Sequence, residues 1–153
     1  MSTAAAPRSA GRAQALDAAL RRLLQGIEAD TAACAQLKPL LQQQFDAALR
    51  HNAQALAALA MQITALVESM GANRAERVAL LKRLVDASGE DAMERCLARL
   101  PEPLRAPWRE RWDGLCASVA ECKRLNVRNG QLLMDQYEII QRVIGVAEVT
   151  YAA

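Results

Sequence analysis

The sequence predicts an all-α fold: three long helices in an antiparallel bundle, short connecting helices, and a long C-terminal helix that projects from the bundle. Composition favours helix, because aromatic residues make up only 3% of the chain and good helix formers abound. Apolar residues recur every three or four positions, which is the helical period. The last periodic stretch, residues 108–151, would extend roughly 60 Å as a helix, and this is longer than a compact domain of this size is wide.

One domain is expected over residues 12–153, after a disordered lead at residues 1–11 that is rich in Ser, Ala, Pro and Gly. The formal net charge is +2 with acids among the arginines, so no basic stripe for a nucleic acid is predicted. No apolar run approaches the ~18 residues of a membrane span, and the start lacks the apolar core of a secretory signal. The four cysteines form no C-x-x-C pair, which is typical of reduced, core-packed thiols in a cytoplasmic protein.

The first long helix is predicted to start after Gly11 and to end near Leu49. Pro39 lies inside it and predicts a kink. The turn favoured after it is 50–52, where Asn52 can cap a new helix. The alternative is a single helix that continues through 50–52, because the three- and four-residue spacing of apolar side chains persists up to Leu56. The apolar series of this stretch is Leu16, Leu20, Leu23, Ile27, Cys34, Leu37 and Leu41.

The second helix is predicted to end near Gly71, which suits the left-handed position after a helix. Two short helices follow, at 75–85 with Asn73 as its cap and at 91–100, separated by a turn at 88–91. Three prolines then end the short segment, and the third long helix is predicted to begin at about Pro107, since proline is tolerated in a first helical turn. This third helix is expected to lie along both others.

No catalytic residue, metal site or cofactor is predicted. The single histidine, His51, excludes a helical di-iron site, and the cysteine and histidine spacing fits no zinc site. The isolated glycines form no phosphate-binding loop. Trp108 and Trp112 are interpreted as core anchors of the third helix. As a nucleic-acid stacking platform they would use the arginines around them, but nearby acids offset that charge.

Two asparagines interrupt the apolar seam of the last helix. A buried amide costs on the order of 1–3 kcal/mol unless its hydrogen bonds are met, and Gly130 adds roughly 1 kcal/mol. Helical phase on both sides favours a helix through Asn129-Gly130 over a hairpin turn. The amides either fix the register of the bundle or mark where the bundle stops and a binding helix begins. The seam is Trp108, Trp112, Leu115, Val119, Cys122, Asn126, Asn129, Leu133, Gln136, Ile140, Val143 and Ala147.

Beyond the asparagines, apolar side chains cover more than one face of the helix. Such a helix is either fully buried or binds a partner, and too few residues remain elsewhere in the chain to wrap it. We therefore predict a protein-binding surface here. Its residues are Asn126, Asn129, Gly130, Leu132, Leu133, Tyr137, Ile140, Val143, Ile144 and Ala147.

The segment from Leu125 to Leu133, LNVRNGQLL, resembles the N-x-x-N-G-x-L-L signature of the FlgN flagellar export chaperones. The glutamine-rich stretch 42–44, the arginines at 74–77 and Tyr151 agree with the family pattern. The resemblance spans roughly residues 16–151. The polar tail that follows the tyrosine in the family is missing or very short in this chain.

The resemblance implies a cytoplasmic chaperone of the flagellar type III export system, with no enzymatic activity. Such proteins bind the unexported hook–filament junction subunits FlgK and FlgL, prevent premature assembly and deliver them to the export apparatus. A monomer or weak homodimer without membrane insertion is expected. The alternative from the residues alone is a structural helical protein that dimerises tightly through a coiled coil.

Overall fold

Four helices make up the protein in a computed structural model, which describes residues 6–87 and 89–152, with side chains at 8–87, 89 and 91–145. They are α1 (Ala6–Leu49), α2 (Ala53–Val85), α3 (Glu90–Ala98) and α4 (Glu102–Ala152). Helix α1 packs against both α2 and α4, and the short α3 packs against α2 and α4. The prediction of an all-α bundle of long helices is confirmed.

Side-chain contacts fix the direction of each helix relative to α1. Helix α2 is antiparallel, because Arg22 near the start of α1 pairs with Glu76 near the end of α2 at 2.6 Å. Helix α4 is parallel to α1, because a residue further along α4 contacts a carbonyl that is further along α1. The side-chain amide of Asn129 donates to the Leu41 carbonyl at 2.7 Å, and that of Gln136 donates to the Ala48 carbonyl at 2.8 Å. The chain therefore runs up, down and up, with α1 in the middle.

The core lies along α1, as the heptad-like spacing of its leucines requires. Leu23, Ile27, Cys34 and Leu41 are each no more than 1% exposed. The third long helix was expected to lie along both others, and this is wrong: α4 packs along α1, whereas α2 and α4 do not approach each other closely within the described residues. Because α2 and α4 both pack on α1 and not on each other, a groove remains between them.

The predicted turn at 50–52 is confirmed. His51 adopts a left-handed φ of 52°, and the Asn52 side chain accepts a hydrogen bond from the Ala55 amide at 3.1 Å, which caps α2. Helix α1 continues through Pro39. The loss of one backbone hydrogen bond there is outweighed by the buried residues on either side, Leu37 and Leu41.

The predicted end of the second helix at Gly71, and the separate short helix capped by Asn73, are wrong. Helix α2 runs unbroken to Val85. Asn73 caps nothing, because its amide donates to the Asp30 carboxylate on α1 at 2.9 Å. Contacts of this kind, continued by buried Leu80 and Leu81, stabilise the helix by more than the cost of roughly 1 kcal/mol for an interior glycine.

The short helix predicted at 91–100 is confirmed as α3. Its predicted preceding turn includes Ser88, which lies outside the described residues, and Gly89, which has the positive φ of 89° that glycine tolerates. Helix α4 begins at Glu102, five residues before the predicted start at Pro107. The prediction was late because Pro103 sits in the first turn, where a missing N–H costs nothing, and the helix then tolerates Pro107.

Where the sequence predicted a disordered lead at residues 1–11, the described part, from Ala6 onward, is the helical beginning of α1. Side chains 8–18 are exposed, so this end of α1 contributes nothing to the core. Residues 1–5 lie outside the described residues. The buried side chains of the described residues form one cluster, and the single domain over residues 12–153 stays a prediction.

Helix α2 is long and apolar enough, by length and composition, to cross a membrane. The expectation that no apolar run approaches this length is therefore wrong. Its apolar character comes from leucine, isoleucine, valine and methionine as well as from alanine, and its Leu59 and Ile63 are buried in the core shared with α1. Only 11% of this apolar window is buried within the protein, so burial in the core does not account for most of it, and one such helix is by itself weak evidence for membrane insertion.

Replacing Gly71 with alanine is expected to raise the free energy of unfolding by up to about 1 kcal/mol, because Gly71 is an interior helical residue. A Cβ there meets no other atom within 4 Å. Gly89→Ala is the matched control with the opposite sign, since its φ of 89° strains any side chain. Urea denaturation measures both changes. A destabilising Gly71→Ala would mean that the helix is broken there after all.

Stability is expected to fall as the pH rises from 9 to 11. Burial, with Cys122 beside it, raises the pKa of the Cys34 thiol from 9.0 to about 11. In that range the unfolded chain releases a proton that the folded protein retains, so unfolding becomes easier, by about 2 kcal/mol at the upper end. Urea titrations at several pH values measure the slope, and Cys34→Ala should reduce it; a part should remain, because burial also raises the pKa of the Cys96 and Cys122 thiols. An unchanged slope in this variant would assign the effect to other groups.

Candidate protein-binding surfaces on α4

Helix α4 is longer than the helix that supports it. Gln136 contacts the carbonyl of Ala48, and α1 ends one residue later at Leu49. Residues 137–152 of α4 therefore extend past the end of α1, over about 24 Å at 1.5 Å per residue. The projecting C-terminal helix predicted from the sequence is confirmed, and this segment is called the tail below.

The side of α4 that faces α1 continues into the tail as an apolar surface with nothing to cover it. Within the bundle this side is formed by Leu125, Asn129, Leu132 and Gln136. Three or four residues further on, the same side carries exposed side chains. We call them the α1-facing stripe of the tail: Ile139, Ile140 and Val143, which are 58%, 53% and 64% exposed.

Asn129 joins α4 to α1 just before the tail. Its side chain is 1% exposed, and its amide donates to the Leu41 carbonyl at 2.7 Å and to Gln44 Oε1 at 2.9 Å. Its carbonyl oxygen accepts from the guanidinium of Arg128 at 3.2 Å. That guanidinium also stacks 3.9 Å from the centre of the Phe45 ring. Every hydrogen bond of the amide is met within the bundle, so Asn129 holds the two helices in register.

The second asparagine does not share this position. Asn126 is exposed, and the neighbouring Leu125 is 7% exposed and takes the seam. The placement of Asn126 in the seam is therefore wrong. A strict four-three alternation follows 3.5 residues per turn, whereas a straight helix has 3.6, so the contact line drifts about 20° for every seven residues.

The opening between α2 and α4 is a groove of about 640 Å³ with α1 as its floor. Leu37 and Leu41 of α1 lie at the bottom. One wall is formed by α2 and the other by α4. The wall residues are Ile63, Val67, Met70, Gly71, Arg74 and Arg77 on α2, and Trp112, Leu115, Cys116, Val119, Ala120, Cys122, Lys123 and Asn126 on α4.

The groove has an apolar interior and a cationic rim. Arg77 is held inside the protein, because it pairs with buried Asp30 at 2.9 Å and stacks 5.3 Å from the Trp112 ring centre. Arg74 and Lys123 are exposed on opposite walls, and neither forms a salt bridge within the described residues. An apolar helix that carries acidic side chains would satisfy both features.

The wall that α4 presents to the groove also continues past the bundle. Stepping by three and four residues from Val119, Lys123 and Asn126 leads to Gly130, Met134, Tyr137, the polar Gln141 and Ile144. We call Met134, at the end of the bundle, together with Tyr137 and Ile144 of the tail the groove-facing stripe; these side chains are 60%, 62% and 45% exposed. The tail therefore carries a second apolar stripe, which adjoins the first where Ile140 and Ile144 lie one helical turn apart.

The tryptophan region is occupied by contacts within the protein. Trp108 is 9% exposed and anchors α4 in the core, as predicted, with the Arg111 guanidinium 4.4 Å from its ring centre. Arg105 donates to the Leu100 carbonyl, and Arg109 pairs with Glu94 at 2.8 Å. The arginines that a nucleic-acid platform would need are thus used to fasten α3 and α4.

The residues predicted to bind a partner fall into three environments. Leu132 and Leu133 are half-buried at the bundle end, and Asn129 is buried. The exposed members are Asn126, Gly130, Tyr137, Ile140, Val143 and Ile144. The side chain of Ala147 lies outside the described residues. Sequence reasoning missed Met134 and Ile139 as site residues, although their apolar character was visible, and it missed the groove, which depends on the packing of α2.

Comparison with known proteins gives one match. The family model described as FlgN protein matches residues 19–148. No curated protein and no solved structure shows a match to this chain. The matched range includes the bundle, the Asn126–Gly130 segment and most of the tail.

Proposed function

The chain belongs to the FlgN family, whose members are flagellar export chaperones, and on this basis we propose that it binds hook–filament junction subunits of the FlgK and FlgL type. In this role it keeps them unassembled in the cytoplasm and presents them to the export apparatus. The protein acts by binding, without catalysis and without a cofactor.

The observation that carries the proposal is the uncovered α1-facing stripe. Ile139, Ile140 and Val143 are each more than half exposed, and a contiguous apolar surface of this kind on a soluble protein typically marks a binding site. Inside the bundle the same side of α4 is covered by α1. A client segment that forms an amphipathic helix can take the place of α1 beyond Leu49.

The geometry supports recognition of a helix rather than of an extended strand. The tail is itself a helix whose backbone groups are satisfied internally, so it offers side chains and no unpaired sheet edge. A disordered client segment would fold on binding, with apolar residues at every third or fourth position against the stripe. Half-buried Leu132 and Leu133 lie where this added helix would abut the bundle.

The hydrogen bonds of the Asn129 side chain limit the movement of α4 relative to α1. Since the hydrogen bonds of Asn129 hold α4 on α1, the tail is presented from a fixed base, and the entropy cost of binding falls mainly on the client. We propose that Asn129 acts by positioning the tail and that Ile140, Val143 and Ala147 contact the client, whereas Gly130, Tyr137 and Ile144 of the predicted surface lie towards the other side of α4.

The direct test is calorimetric titration of the purified protein with the C-terminal segment of a junction subunit. We expect saturable one-to-one binding with a negative heat-capacity change, because apolar surface is buried. Circular dichroism should show helix gained by the segment in the complex. Absence of binding at tens of micromolar would overturn the proposal.

A further inference from the structure

We propose that the groove between α2 and α4 receives the tail of a second copy of this chain, so that two copies pair reciprocally through antiparallel α4 helices. The client proposal uses the α1-facing stripe. This pairing uses the groove-facing stripe, and it occurs without any client.

The first argument is the match of lengths. The groove extends along α4 from Trp112 to Asn126, which is about 21 Å of helix. The tail beyond α1 extends about 24 Å. A helix of about the length of the tail can therefore occupy the groove, with Leu37 and Leu41 as its floor.

The second argument is symmetry. If two α4 helices run antiparallel with the tail of each in the groove of the other, Tyr137 lies opposite Lys123, Ile144 opposite Cys116 and Met134 opposite Asn126. This register places the twofold axis at Gly130. The two α4 helices come closest there, and Gly130 is an exposed residue whose missing side chain leaves open space. Each copy then contributes the same surface, namely its groove and its groove-facing stripe, as a twofold interface requires.

The third argument is charge. Between Met134 and Ala152, α4 carries three acids, Asp135, Glu138 and Glu148, and one base, Arg142; Glu138, Glu148 and Arg142 belong to the tail. The groove offers Arg74 and Lys123, which form no salt bridge in the described part of the chain. In the antiparallel register Glu138 falls on the same side as Lys123, so the tail brings acids to the cationic rim.

The pairing is tested by site-directed cross-linking. Cys116 is the exposed cysteine of the groove, whereas Cys34, Cys96 and Cys122 are buried. In the Ile144→Cys variant, a short bis-maleimide should join Cys116 of one copy to position 144 of the other. Within one chain these positions are 28 residues apart on one helix, about 42 Å, so the product must contain two chains.

Two controls separate this arrangement from other dimers. In the unaltered protein, Cys116 is the one cysteine that is exposed among the described residues. In Cys116→Ser/Ile144→Cys, the introduced cysteine at position 144 takes this place. In an antiparallel pair centred on Gly130 neither should cross-link, because the matching positions lie about 42 Å apart. Cross-linking of the unaltered protein through Cys116 would indicate another arrangement of the two copies and overturn the proposal.

Analytical ultracentrifugation gives the second readout. The unaltered protein should pass from one chain towards two as its concentration rises. Ile144→Asp should weaken pairing about tenfold or more, because an apolar side chain leaves the groove. Ile139→Asp is the matched control: it lies on the opposite side of α4 and should leave pairing unchanged. A monomer at every concentration, with no cross-link, would overturn the proposal.

Charge reversal tests the register. Lys123→Glu should weaken pairing roughly fivefold, the size of one partly exposed ion pair. Adding Glu138→Lys in the same chain should restore it. Failure of the restoration would contradict the register. These outcomes are independent of client binding, since they are measured without a client.

Discussion

Replacing Arg77 with alanine is expected to lower the free energy of unfolding by about 3–5 kcal/mol, the range for breaking a buried ion pair by removing one partner. The Asp30 carboxylate is only 4% exposed and accepts from Arg77 at 2.9 Å, with a second hydrogen bond from Asn73. Without Arg77 a negative charge remains between α1 and α2, and the stacking on Trp112 is also lost.

Urea denaturation measures this loss, and two variants control it. Arg74→Ala removes an arginine one turn away on α2 that is exposed and has no salt bridge among the described residues, so it should change stability by less than about 0.5 kcal/mol. The double variant Asp30→Leu/Arg77→Met removes both charges and should recover most of the loss. Equal effects of Arg77→Ala and Arg74→Ala would show that Asp30 does not need its partner.

The same ion pair explains an error of the sequence prediction. Gly71 and Asn73 have the local character of a helix end, and propensity alone stops α2 there. The reason for continuing is nonlocal: Asn73 and Arg77 bind Asp30, which is more than forty residues earlier in the chain. A periodicity analysis of α1 shows Asp30 only as a polar interruption. No pattern within a single helix identifies its partner on another.

The long helices and the turn at 50–52 could be predicted because local signals decide them, namely period, the capping side chain of Asn52 and the polarity of the turn. The tail could be predicted because its apolar residues exceed what the remaining chain can cover. The sequence could not predict which asparagine is buried. The line of contact with α1 drifts around α4, and a shift of one position is enough to bury Leu125 in place of Asn126. The groove forms because α2 and α4 both pack against α1 and not against each other. The pattern of any one helix does not show which helices it packs against, so the groove could not be predicted.

The separation of two stripes on one tail gives the protein two different kinds of apolar surface. Ile139 and Ile144 are five residues apart, so they point about 140° away from each other on the helix. Substitutions at Ile139 and at Ile144 therefore distinguish a client on the α1-facing stripe from a second copy on the groove-facing stripe, whereas Ile140 lies one turn from Ile144 and adjoins both. This distinction makes each interaction testable without relying on the other.

Ile140→Asp and Val143→Asp are each expected to reduce the affinity for a junction-subunit segment by about a hundredfold or more, because a charge must be desolvated where an apolar side chain was buried. Both side chains are more than half exposed in the free protein, so helicity and melting temperature should stay the same. Calorimetry and circular dichroism measure the two quantities.

Met61→Asp is the matched control for general hydrophobic attraction. Met61 is 76% exposed, but it lies on α2, away from the tail, and its substitution should leave the affinity unchanged. If Ile140→Asp and Val143→Asp unfold the free protein, the stripe is part of the core and cannot be the client site. If they leave both folding and affinity intact, the client binds elsewhere on the chain. Loss of affinity in a folded protein is the outcome that the uncovered side of α4 predicts.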